Sequence, residues 1–157
     1  MQIGYLADHA AFVPTLARWH HAQWSYLSPG DSVERRIAGL RKQSGRRQIP
    51  TTFVAYDTTK AGDKVLIGSA SLIAQDMDTR PELSPWLASV YVAAEHRRQG
   101  IGSSLVRRVV EEAAALGVER LYLFTPDQEQ FYAGLGWTTV ERCTYRGYPQ
   151  VVMTLRL

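Results

Sequence analysis

Arg97, Gly100 and Gly102 are the residues whose spacing first suggests chemistry in this chain. They lie in Ala93-Ala94-Glu95-His96-Arg97-Arg98-Gln99-Gly100-Ile101-Gly102-Ser103, between an apolar run ending Val90-Tyr91-Val92 and a long helical pattern opening at Ile101. The first turn of a helix presents backbone N–H groups without partners and the positive end of the helix dipole. Gly100 and Gly102 have no side chain to obstruct an approaching anion, and Arg97 and Arg98 add positive charge beside it. Together these features make a cradle for a diphosphate. A dinucleotide fingerprint is excluded, because Leu105 stands where its third small residue is required. A P-loop is excluded as well, since no Gly-Lys-Ser/Thr follows.

The cradle needs a strand before it and a helix after it, and the sequence patterns supply both. Trp86–Val92 is apolar on both faces except at Ser89, the pattern of a central strand. In the helix Ile101–Leu116, Ile101, Leu105, Val109 and Ala113 form one stripe, which Val106, Val110 and Ala114 widen, and Gly117 stops it. Upstream, Ile3–Leu6 reads as a strand and Ala10–Trp24 as a helix. Ser32 then caps a second helix, Val33–Lys42, and Thr51–Tyr56 pairs with Lys64–Ile73 as a hairpin. Downstream, Glu119–Phe124 is a strand. Thr125-Pro126-Asp127-Gln128 has the form of a helix start, predicting a short helix Pro126–Leu135. Strands Trp137–Thr144 and Val151–Leu155 close the chain around an Arg146-Gly147-Tyr148-Pro149 turn. The strand–helix–strand unit requires a parallel pair, and the hairpins at both ends are antiparallel. The expected fold is therefore α/β: one three-layer domain over residues 1–157, with a mixed, mostly antiparallel central sheet and helices on both faces.

Arg97-x-x-Gly100-x-Gly102, following a strand that ends Val90-Tyr91-Val92, resembles the acetyl-coenzyme A loop of the GNAT N-acetyltransferase superfamily. A second segment supports the resemblance. Gln130-Phe131-Tyr132-Ala133-Gly134-Leu135-Gly136-Trp137 looks like that family's FY-x-x-x-G-[FW] motif, and it falls after the next strand, as it does there. The element order matches over nearly the whole chain, most weakly in the N-terminal helices. The resemblance implies that the backbone from Arg97 to Ser103, including Arg98, Gln99, Gly100, Ile101 and Gly102, holds the pyrophosphate of acetyl-CoA, a cosubstrate. It implies that Val90 and Val92 pair with the pantetheine amides as an added strand would. An N–H near Val90 or Tyr91 would polarise the thioester carbonyl. Tyr132 would be the acid that donates to the departing thiolate, a role suited to a phenol with a pKa near ~10. As a plain aromatic, Tyr132 would instead pack the short helix against Phe131. Homodimers are common in that family, and no interface is legible in this sequence.

An amine acceptor must lose a proton before it attacks, so a base is needed, directly or through water. The candidates are Asp76, Asp78 and Glu82 in the loop before the central strand, and His20 and His21 in the first helix. The two histidines point about 100° apart, so at most one faces a given pocket, and each otherwise reads as a partly exposed helix residue. The acidic loop, with Asp76 and Asp78, would suit a cationic amine. Trp24, Tyr26 and Trp86, with Trp19, would shape an aromatic cleft able to hold an ammonium group. Each of these aromatics also reads as core, Trp19 more so than Trp24, which ends the helix. Cys143 has no activating neighbour in sequence and reads as a strand residue, so no acyl-enzyme is expected.

Composition narrows the class further. The chain has 157 residues, of which 45% are hydrophobic and 21% charged, in the range of globular proteins. The net charge of +3 is carried by 18 basic residues, all Arg except Lys42, Lys60 and Lys64. Arg35, Arg36, Arg41, Arg46 and Arg47 read as a solvated helix face and loop. A surplus this small and scattered is no nucleic-acid footprint, whereas guanidinium groups suit discrete anions. The single cysteine excludes a disulfide framework and a cysteine zinc cage, and no metal is expected. There is no signal-peptide pattern and no apolar run of about 20 residues. The expected protein is a cytoplasmic acetyltransferase for a small-molecule amine, with no nucleic-acid or membrane partner. A peptide or protein N-terminal amine, an RNA-linked amine and a CoA-binding module without catalysis are the alternatives.

Overall fold

Strand β2 (Thr51–Thr58) is buried on both faces before its exposed end, and its alternation divides the interior in two. Phe53 and Ala55 face a core that they share with helix α3 (Ile101–Ala115). Val54 and Tyr56 face a second core with helices α1 (Val13–Trp24) and α2 (Val33–Lys42). This is the two-sided burial expected of a central strand in a three-layer α/β domain. The computed structural model describes residues 1–157. It adds strands β1 (Gln2–Tyr5), β3 (Lys64–Ile73), β4 (Trp86–Val92), β5 (Arg120–Thr125), β6 (Thr138–Tyr145) and β7 (Tyr148–Arg156), and a short helix α4 (Glu129–Gly134). The seven strands form one sheet in the order β1-β2-β3-β4-β5-β7-β6. Every neighbouring pair is antiparallel except β4 with β5. The mixed, mostly antiparallel sheet with helices on both faces is therefore the expected fold class.

Sequence and structure differ in places that have local causes. Residues Ala10–Phe12, expected to be helical, form a separate 3-10 turn before Pro14 enters the first turn of α1. The hydroxyl of Thr125 accepts from the Gln128 N–H at 3.1 Å, but the capped turn stays isolated, and α4 begins only at Glu129. The last hairpin is tighter than expected. Arg146 and Gly147 alone make the turn, both at positive φ, and β7 starts at Tyr148.

Helix α3 buries Glu112, not Ala114, beside Val109 and Ala113. The Glu112 carboxylate accepts from the Tyr5 hydroxyl at 2.7 Å, the Arg47 N–H at 3.1 Å and the Arg108 guanidinium at 3.1 Å. It thus ties β1 and the loop before β2 to α3. Removing one partner of a buried ionic cluster leaves the others unsatisfied, so Glu112→Ala is expected to cost about 3 kcal/mol in urea unfolding. Glu112→Gln keeps an acceptor and is expected to cost less; equal losses would show that the carboxylate is not what holds the cluster.

Candidate active site

Between β4 and β5 the sheet comes apart. The two strands are in register only at Trp86↔Tyr122, near the start of β4. Beyond that pair the β5-facing edge of β4, from Leu87 to Val92, has no ladder partner. The separation holds a cavity of about 310 Å³ with Leu87, Ala88, Ser89 and Val90 on one wall and Leu123, Phe124 and Thr125 on the other. That volume is in the range of small-molecule sites. The cavity passes from one face of the sheet to the other, because Leu87 and Leu123 belong to the α3 core while Ala88 and Phe124 belong to the opposite face.

The β4 wall is irregular. Pairing with β3 runs Ser69↔Tyr91 and then Ser71↔Ala88, so Ser89 and Val90 both stand opposite Ala70. This is a β-bulge, and Ser89 takes φ 53°, a value that L side chains adopt only under constraint.

At its far end β4 leads through a 3-10 turn (Ala94–His96) into α3. Gly100 precedes the helix at φ +78°, the left-handed conformation glycine adopts without steric cost. Ser104 makes the first bond back to Gly100, leaving the N–H groups of Ile101, Gly102 and Ser103 at the open end of the helix. A Cβ on Gly102 would stand 3.6 Å from Phe131 and 3.8 Å from Val92, so its bare backbone leaves this surface open. Arg98 (φ 63°), Gln99 and Gly100 are exposed. Arg97 folds back: its Nε donates to the Val92 carbonyl at 2.9 Å and its guanidinium lies 5.6 Å from the Tyr91 ring centre. A free strand edge and a run of free helix N–H groups therefore stand end to end, able to hold an extended arm bearing a diphosphate.

On the α3 side, Tyr132 lines the cavity and its hydroxyl makes no hydrogen bond within the protein. Burial raises its pKa well above the ordinary phenol value, so it remains a proton donor. On the opposite side the wall carries Trp24, Tyr26, Asp76 and Tyr145, with Arg36 and Arg146. Burial pushes the Asp76 carboxyl up to about 7, against the opposing pull of Arg36 and Arg146. Both arginines already have carboxylate partners: Arg36 meets Asp31 at 2.9 Å and Arg146 meets Asp78 at 2.9 Å. Asp76 and Asp127, both on the wall, take part in no ion pair.

The structure thus brings Tyr132, Val90, Trp24, Tyr26 and Asp76 to one cavity. It does not bring Trp86 there. That side chain is fully buried among Met77, Ala88, Tyr145 and Val152, and its indole N–H donates to the Leu83 carbonyl at 2.7 Å. Trp86 is therefore core, not acceptor wall. Asp78 is also off the wall, exposed and bound to Arg146. Glu82 is exposed in the same loop, and His21 instead meets Asp31 at 3.3 Å. Tyr91 turns its ring towards Trp19 and Trp24 of α1. Arg36, which the charge pattern assigned to a solvated face, reaches the wall. It precedes the buried Leu40 by one helical turn, and that spacing could have revealed it. Tyr145, Arg146 and Asp127 carried no signal in the sequence; Asp127 follows closely on β5, and Tyr145 and Arg146 reach the wall from the end of β6 and the turn after it.

A mixed sheet parted between two parallel strands, with a glycine-led helix N-terminus at the end of one, defines an acyl-CoA N-acyltransferase fold. Residues 14–137 match the Acetyltransferase (GNAT) family, and the chain belongs to that family. Solved structures share the fold. An aminoglycoside 6'-acetyltransferase type Ii is 21% identical with a TM-score of 0.75, over 99% of this chain and 97% of that one. A ribosomal-protein-alanine N-acetyltransferase from Brucella melitensis is 20% identical with a TM-score of 0.73, over 100% of both chains. An aminoglycoside 6'-N-acetyltransferase complexed with coenzyme A is 18% identical with a TM-score of 0.73, over 99% and 97%. Among curated proteins no sequence match is found.

Proposed function

We propose that this acetyltransferase moves the acetyl group of acetyl-CoA to a primary amine of a small cationic molecule, by direct attack in a ternary complex. The observation that carries the reading is the parting of β4 from β5 beside the open N-terminus of α3. The helix N–H groups from Ile101 to Ser103 bind the diphosphate, and the free β4 edge pairs with the amides of the pantetheine arm. The bulge at Ser89–Val90 supplies an N–H to the acetyl carbonyl oxygen as charge develops there. Asp76 takes a proton from the ammonium group, the amine nitrogen bonds to the acetyl carbon, the carbon–sulfur bond breaks, Tyr132 donates to the departing sulfur, and the second proton lost by the nitrogen returns through water to the Tyr132 oxygen. The two unpaired carboxylates, Asp76 and Asp127, with the rings of Trp24 and Tyr26, favour a cationic acceptor. The aminoglycoside acetyltransferases among the structural neighbours fit this choice. The Brucella melitensis neighbour favours a second reading, a protein N-terminal amine.

Calorimetry with acetyl-CoA, and with ATP as comparator, tests the cradle. Wild type is expected to bind acetyl-CoA and not ATP. Gly102→Glu sets a negative charge among the cradle N–H groups and is expected to weaken binding at least ~100-fold, about 2.7 kcal/mol. Gly102→Ala adds only ordinary contacts and serves as the control for folding. No binding by wild type, or full binding by a folded Gly102→Glu, would sink the reading. A thiol-release screen of aminoglycosides, polyamines and peptide N-termini then separates the two acceptor classes.

A further inference from the structure

The bulge that lines the cavity is tied from behind by two buried polar side chains. Ser69 of β3 is fully buried, and its hydroxyl donates to the Ser89 carbonyl at 2.9 Å. His20 of α1, 1% exposed, places Nε2 2.8 Å from the same hydroxyl. A serine hydroxyl has one proton, and here it goes to the carbonyl. The ring must then donate, giving a directed chain from His20 Nε2–H to Ser69 Oγ–H to the Ser89 carbonyl. Trp24 holds the ring at 5.1 Å between centres. Burial lowers the His20 pKa to about 3, so the ring stays neutral in ordinary buffers.

The chain has a geometric consequence. A trans peptide unit is planar, with its C=O and N–H pointing in opposite directions. The Ser89 carbonyl is drawn towards β3, so the N–H of the same unit, that of Val90, points away from β3. The β5 side of β4 is where the cavity lies, and both Ser89 and Val90 line it. Ser89 sits at φ 53°, in a region that persists only when its surroundings enforce it. The Ser69 hydroxyl holds the carbonyl of that same residue.

We propose that His20 and Ser69 are positioning residues that aim the Val90 N–H into the cavity as the hydrogen-bond donor to the acetyl carbonyl oxygen. Neither side chain lines the cavity, so both act through the backbone of the bulge. The inference rests on the reading of β4 as the strand that holds acetyl-CoA. It makes His20, in sequence one of several base candidates and otherwise a partly exposed helix residue, a buried donor that keeps its proton.

Amide NMR spectra of the full chain test it without a known acceptor. In wild type, acetyl-CoA is expected to shift the Val90 amide proton downfield, and CoA, which has no carbonyl at that point, is not. Ser69→Ala and His20→Phe are expected to lose the acetyl-specific shift while CoA affinity by calorimetry stays within about twofold. His20→Gln, which can still present an N–H to Ser69, is expected to restore it. A role in packing alone would not discriminate acetyl-CoA from CoA. An acetyl-specific shift that survives in Ser69→Ala and His20→Phe overturns the inference, as does a wild type that binds acetyl-CoA with Val90 unmoved. A wild type that binds neither ligand overturns the proposed function instead, and the two failures are distinct.

Discussion

Tyr132→Phe is expected to lower turnover about a hundredfold while leaving the affinity for acetyl-CoA nearly unchanged. The substitution removes one oxygen and keeps the ring, which packs at 5.0 Å from Phe131 and 6.1 Å from Trp137. The fold of α4 is therefore preserved, and any change in rate belongs to the hydroxyl. That hydroxyl has no partner in the protein and stands on the cavity wall with Val90 and Leu123. Opening onto the cavity, it is free to donate to a group bound there. A thiolate leaving from a carbonyl held by the β4 bulge would be such a group. Burial raises the phenol pKa above its ordinary value of 10.0, so the wild-type rate should show no alkaline limb from this group in the usual assay range. Thiol release with saturating acceptor measures the effect. An unaltered rate in Tyr132→Phe would remove the tyrosine as acid and leave it a packing residue.

Much of this arrangement was legible because local pattern and tertiary fate agree. Helix Val33–Lys42 and strands Lys64–Ile73 and Trp86–Val92 end where the sequence places them. In the helix, Ser32 accepts from the Arg35 N–H at 3.1 Å, so the cap that the sequence advertises is the cap that forms. The glycine-led start of α3 was legible for a similar reason. A glycine at positive φ before an amphipathic helix is a backbone requirement, and it leaves its mark in residue type. The opposite wall of the cavity was not legible in this way. Trp86 looks like a cleft aromatic because its ring is able to hold an ammonium group, and only the fold reveals that it is fully buried with its indole N–H on the Leu83 carbonyl. Thr125 and Pro126 look like a helix start, yet the hydroxyl satisfies a turn that α4 does not continue. Asp127 follows β5, Tyr145 ends β6 and Arg146 begins the turn after it, and the tertiary arrangement decides what such residues face. Local periodicity carries no record of that arrangement. Nor does it record that His20, adjacent to His21, turns inward to Ser69 while its neighbour meets Asp31.

Asp76→Asn is expected to lower turnover near neutral pH by about a hundredfold or more and, at the same time, to stabilise the protein at pH 8. Both effects follow from one placement. The carboxyl belongs to the loop between β3 and β4, on the cavity wall, where burial moves its pKa from 3.8 up to about 7. In the unfolded chain it ionises near the lower value. Between the two values the folded protein holds a proton that the unfolded chain has released, so stability falls as pH rises through that window. Above pH 7 the folded state bears a charge its surroundings disfavour, and the neutral amide relieves that. Below pH 4 both side chains are neutral, and the stability difference should shrink towards zero. Activity runs the other way. A base must be ionised to accept a proton, so wild-type turnover should rise through pH 7 with a single ionisation, and the variant should lose that limb. Urea unfolding at pH 4 and pH 8, with thiol-release rates across the same range, measures both. A variant with wild-type activity and an unchanged acid limb would pass the role of base to water or to Asp127. A variant no more stable at pH 8 than at pH 4 would show that Asp76 is ionised in the folded protein without penalty, and the raised pKa would be wrong. Loss of rate together with gain of stability is the outcome that neither a purely structural nor a solvated carboxylate would produce.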